Sequence, residues 1–165
     1  MSRPILKIEL TTLDWIVEAI ATLALLGLVI YSILTYPTLP EKIATHYGVD
    51  GKSDATGSKS TLWLLIGLTV FLYGLLTIAS RFPHKFNYLT AITEQNAKRQ
   101  YTLSLQMMRL LKLAIVLIFT YLTYITISLA KDNDSGLGSW FLPITLISIF
   151  GIIIFYIIKS STKQS

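Results

Sequence analysis

Apolar residues gather in four long runs, about 15–36, 61–80, 110–130 and 139–158, separated by short polar stretches. Each run is about 20 residues, which at ~1.5 Å rise per residue matches a ~30 Å hydrocarbon layer. Buried helices of soluble domains rarely sustain that length. The pattern predicts an all-α membrane protein with four transmembrane helices, forming one integral membrane domain over residues 1–165. Composition agrees: 53% of residues are hydrophobic and only 14% charged.

Charge then orients the helices. With four spans, the N-terminus, the second loop and the C-terminus share one side. That side carries Arg3, Lys7, Arg81, Lys85, Lys98, Arg99, Arg109, Lys112, Lys159 and Lys163, and the other only Lys42, Lys52, Lys59 and Lys131. Under the positive-inside rule both termini are expected in the cytoplasm and the first loop outside. The net charge of +5 follows from this sorting and calls for no nucleic acid; the expected partner is the bilayer. Tyr36, Trp63 and Trp140 are placed as anchors at the outer interface, and Trp15 and Tyr156 at the inner one. The first run is too long for a signal-peptide core and has Glu9, Asp14 and Glu18 at its start, so it reads as a retained helix. Cysteine is absent, which excludes disulfides, thiolate nucleophiles and thiolate metal sites.

The loops differ in character. Between spans one and two, Pro40 suits the first turn of a short helix through Ala44. Ile43, Thr45, Tyr47 and Val49 then alternate toward Asp50-Gly51, a strong hairpin-turn signal, and Gly51 and Gly57 read as turn residues. The expectation is a helical turn plus a small extracytoplasmic hairpin leaning on the bundle rim, since an isolated hairpin is marginal in water. After span two, Thr93 is read as an N-cap with Glu94 in the first turn. No Pro or Gly interrupts the chain from Glu94 to Ala130. Ala97, Tyr101, Leu105 and Met108 recur at near-helical spacing. One helix therefore runs from the cytoplasm into span three, projecting ~20 Å below the membrane. The alternative is an interfacial helix with a bend near Met107. The short connection 131–138 makes spans three and four antiparallel neighbours.

Candidate chemistry is sparse. His46 suggests a metal, but zinc needs three or four ligands, and the other histidine, His84, falls on the opposite side. No metal or cofactor is expected. His46 is read as a hydrogen-bonding group across the hairpin, with ligand contact or pH sensing as alternatives. Gly51-Lys52-Ser53 lacks the rest of a phosphate-binding loop, and Lys52 spoils a calcium-loop reading of Asp50 and Asp54. Lys59 either anchors the second span or pairs with Asp54 or Glu41. Asp14 and Glu18 share a helix face at i, i+4 and lie near the inner end of span one. They are expected to pair with Arg109 or Lys112, an ion path being the alternative. Thr120, Tyr121, Thr123, Tyr124, Thr126 and Ser128 make span three polar, as inter-helix hydrogen bonding would require. No constellation suited to catalysis is present, so the chain is not read as an enzyme.

Leu39-Pro40, Ile43, His46, Gly51, Asp54 and Gly57-Ser58-Lys59, at their spacing, resemble the DUF1648 family of small bacterial membrane domains, which includes the N-terminal part of SdpI-type toxin-immunity proteins. Asn87 and Thr93-Glu94-Gln95-Asn96 look like a second recurring segment, giving a DUF1648-like core of about 15–130, and Arg99 is a further candidate on the polar side of the same cytoplasmic helix. The resemblance implies a multi-pass protein of the bacterial cytoplasmic membrane. It also implies immunity to a membrane-active peptide toxin, and signalling through a sequestered cytoplasmic repressor. Leu39, Pro40, Ile43, His46, Gly51, Asp54 and Lys59 are then the candidate contacts for a toxin or another membrane protein. The alternative function is a small transporter or accessory subunit using Glu18 and the polar face of span three.

Overall fold

The computed structural model describes residues 3–131 and 136–162, so residues 132–135 of the connection 131–138 lie outside the described residues. The chain forms α1 (Thr12–Thr35), a 3-10 turn (Tyr36–Thr38), strands β1 (Lys42–Tyr47) and β2 (Ser53–Ser58), then α2 (Leu62–Ala79), α3 (Glu94–Leu129) and α4 (Phe141–Ser161). Among the described residues four helices are long and apolar enough to cross a membrane, matching the four predicted runs. The long α3 is the spine. α1, α2 and α4 each pack along it, while α1 and α2 touch each other little.

Local chemistry sets the helix limits. α1 starts a turn before the apolar run because Thr11 and Asp14 form a capping box. The Asp14 backbone N–H donates to Thr11 Oγ1 at 3.2 Å, and the Thr11 N–H to Asp14 Oδ2 at 2.9 Å. Thr93 caps α3 as expected, but the reciprocal partner is Asn96, whose Oδ1 accepts from the Thr93 N–H at 2.9 Å. From that cap α3 runs 36 residues in one piece, with no break at Met107.

The lower half of α3 is not a bare projection. Tyr101, fully buried, donates from its hydroxyl to Pro4 O at 3.0 Å. Tyr88 in the α2–α3 loop shares a 3.0 Å hydrogen bond with Ser104. Arg99 donates to the carbonyls of Lys159 (2.5 Å) and Thr162 (3.0 Å), supplying donors where the end of α4 has none of its own. Gln100 and Ser160 bond reciprocally at 3.0 and 2.6 Å. The N-terminal arm, the α2–α3 loop and the end of α4 thus gather on one end of the bundle; the hairpin occupies the other.

Several expectations are corrected. Pro40 does not open a helix: Pro37 sits in the first turn of the 3-10 segment, and Leu39, preceding a proline, is extended at φ −78°, ψ 144°. Gly57 lies within β2, opposite Ile43, rather than in a turn. Tyr156, expected as an inner-interface anchor, is buried within the protein rather than exposed. Trp15 and Trp140, by contrast, are exposed at opposite ends, and Tyr36 packs on Trp63 with ring centroids 5.1 Å apart.

Candidate functional site

The hairpin is held at three places. β1 and β2 pair antiparallel with irregularities on either side of His46, which break the simple alternation of Ile43, Thr45, Tyr47 and Val49. Ile43 points inward and joins Leu39, Leu62, Ile66 and Ile127 in one buried cluster. Burying one such side chain is worth about 1.5–3 kcal/mol. Farther along, the Tyr47 hydroxyl lies 2.8 Å from Thr126 Oγ1 on α3. Burial pushes the Tyr47 phenol above its ordinary pKa of 10.0, and the Thr126 hydrogen bond partly offsets this.

The third attachment is the turn itself. Gly51 adopts φ +78°, and its carbonyl accepts from the Leu137 N–H at 2.8 Å. A Cβ at Gly51 would stand 2.6 Å from the Gly138 oxygen, and one at Gly136 would collide with the Gly51 carbonyl. Backbone meets backbone here, in the only way two glycine-bearing segments allow. Gly136 and Leu137 were invisible as hairpin contacts in the sequence, because close approach of distant segments has no local signature.

Of the candidate outer residues, Leu39, Ile43 and Gly51 therefore face inward and seat the hairpin. Pro40, His46 and Asp54 face outward. His46 Nδ1 and Asp54 Oδ1 meet across the strands at 2.5 Å on an exposed surface. Lys59 pairs with Glu41 at 3.0 Å, reaches the Leu39 carbonyl at 3.4 Å and lies over the Tyr36 ring, so it staples the start of α2 to the entry of β1. Val49 projects from the turn with 84% of its surface exposed.

A second polar constellation lies deep between α1, α2 and α3. Asp14 uses Oδ2 for its cap and Oδ1 for Arg109 Nη1, 3.1 Å away. Glu18 meets Arg109 Nε at 3.6 Å and Lys112 Nζ at 2.6 Å. Lys112 also donates to Thr77 Oγ1 at 3.0 Å and lies over the Tyr73 ring, tying in α2. Two carboxylates and two cations close the set, so each charge has a partner, as burial requires. The expected partners for Asp14 and Glu18 are found; Tyr73 and Thr77 were not singled out from sequence.

On the opposite end, Asn96 and Arg99 serve helix termini, Glu94 is exposed in the first turn of α3, and Asn87 is exposed in the loop. The structure brings none of these near the hairpin residues.

Four spanning-length helices make this a multi-pass membrane protein by class. Within it, residues 23–70 match the family described as Domain of unknown function (DUF1648). The match runs from the middle of α1 through the hairpin into α2, and so contains every candidate outer residue; Asp14, Glu18 and the segment around Asn87–Arg99 lie outside it. No curated protein and no solved structure matches the chain.

Proposed function

We propose that this is a non-enzymatic protein of the bacterial cytoplasmic membrane, with both termini inside and the hairpin facing out. In this reading the hairpin recognises a peptide or a partner membrane protein, in the manner of the SdpI-type immunity proteins it resembles. The observation that carries the reading is the seating of the hairpin. Ile43, Tyr47–Thr126 and Gly51–Leu137 hold a short two-stranded sheet that would be marginal alone. A held loop loses less entropy when it binds, which favours recognition. The exposed part of that platform is small and mixed in character, with Val49 apolar and His46 and Asp54 polar.

Glu18 counts against a transport path, because Arg109 and Lys112 already neutralise it and Thr77 and Tyr73 crowd the lysine.

Expression in a sensitive bacterial host, challenged with a panel of membrane-active peptides, tests the proposal. Protection against at least one peptide, lost on joint replacement of His46, Val49 and Asp54 while the protein stays in the membrane, is the expected result. Unchanged killing by every peptide, together with no partner recovered by crosslinking from position 49, would overturn it.

A further inference from the structure

At the end of the bundle away from the hairpin, a groove of about 400 Å³ opens between the α2–α3 loop, α3 and α4. Its walls are of two kinds. Leu103, Met107, Met108 and Ile157 form an apolar floor, while Lys85, Asn87, Ser104 and Gln100 ring it with polar groups. No carboxylate lines it among the described residues. Lys85 is the one cation among the described residues that line it. Lys159 and Arg3 stand outside the lining, Lys159 over the Tyr156 ring and Arg3 over the Tyr88 ring, and Arg3 also donates to the carbonyls of His84 and Phe86. The groove lies just past the end of α2 at Ala79 and beside the end of α4 at Ser161. That is where apolar helix surface gives way to polar chain.

We propose that this groove holds one anionic phospholipid, its phosphate at Lys85 and Asn87 and the start of an acyl chain along Met107, Met108 and Ile157. Basic pockets between transmembrane helices recognise acidic headgroups in this way, and methionine adapts to an irregular chain. A larger groove of about 770 Å³ between α3 and α4 near Trp140 makes a useful contrast. It has no charged lining residue, so any lipid tail would fill it equally well. Charge complementarity singles out the smaller groove. The Arg99 and Gln100 bonds to the α4 terminus support this, because they satisfy carbonyls that would otherwise repel a phosphate. The site is independent of whatever the hairpin binds.

The test is native mass spectrometry of the full chain in neutral detergent, offered equal amounts of phosphatidylglycerol and phosphatidylcholine, with thermal stability read alongside. One phosphatidylglycerol should be retained in preference and should raise the melting temperature. Lys85→Gln should weaken its retention about five-fold, the equivalent of ~1 kcal/mol for one basic residue at a charged surface. Met107→Trp, which crowds the floor, should weaken it without removing a charge. Lys52→Gln at the opposite end should change nothing. Equal retention of the two lipids, or an equal effect of Lys52→Gln and Lys85→Gln, overturns the proposal. So does displacement of the bound lipid by millimolar inorganic phosphate, which would mark a free-anion site.

Discussion

Lys112 Nζ donates to Glu18 Oε2 at 2.6 Å, joining the middle of α3 to the lower part of α1 inside the bundle. The bond completes a charge-balanced set with Asp14 and Arg109, and Thr77 brings in the third helix. A buried pair is a weak source of net stability, because desolvation offsets attraction, but removal of one partner strands the other.

Lys112→Met and Glu18→Gln alone are therefore expected to destabilise by about 3–5 kcal/mol each. The double variant should lose much less than the sum, since Asp14 and Arg109 still balance. A double-mutant cycle on thermal unfolding in detergent reads the coupling. Additive losses would show that the two side chains act independently of each other.

The turn of the hairpin gives a sharper contrast. Gly51→Ala must both hold a left-handed backbone and push into Gly138, so docking of the turn should fail. The backbone part alone costs about 1–2 kcal/mol. Gly27→Ala in α1 meets no atom within 4 Å and should be neutral or slightly stabilising. Limited proteolysis of the 41–58 segment is the measurement. Equal cleavage rates for the two variants would rule out backbone docking of the turn.

Tyr47 adds a pH dependence whose sign can be fixed. Its folded pKa lies above the ordinary 10.0, chiefly through burial, so the neutral phenol is the form that docks. Its contribution is fully present below the unfolded value and disappears as pH rises through the folded one. Docking should hold through the neutral range and loosen only in strong alkali. Tyr47→Phe, which deletes the Thr126 hydrogen bond, should cost about 1 kcal/mol at neutral pH and remove this alkaline step. Absorbance of the phenolate, compared between the two proteins, follows it.

How far the chain could be read in advance depended on whether the cause was local. Hydrophobic run length placed all four helices, and the i, i+4 spacing of Asp14 and Glu18 led to Arg109 and Lys112. The Asp50-Gly51 turn and the Thr93 cap carry their own signatures. Pro40 was misplaced because proline suits both a helix start and an extended entry, and the strand formed by Lys42–Tyr47 decided between them. Asp14 showed only half its role: its spacing announced the ion pair, while the Thr11 cap, at the edge of the apolar run, passed unnoticed. Arg99 was visible as a polar-face cation, but its work on the α4 terminus depends on residues about sixty positions away. The contact of Gly51 with Leu137 has the same non-local origin.

The orientation of the bundle decides whether the hairpin can meet anything outside the cell, and the absence of cysteine makes it directly measurable. A single cysteine at Val49, 84% exposed on the turn, and another at Leu89, 74% exposed in the α2–α3 loop, sample the two ends of the molecule. Neither side chain belongs to a buried cluster, so both substitutions should leave the fold intact. With the basic residues inside, a membrane-impermeant maleimide should label Val49→Cys in intact cells and Leu89→Cys only after permeabilisation. The reverse pattern would put the hairpin in the cytoplasm and end the reading of it as an outward recognition surface. The ion-paired core of Asp14, Glu18, Arg109 and Lys112 would be unaffected by that outcome, because its charges balance in either orientation.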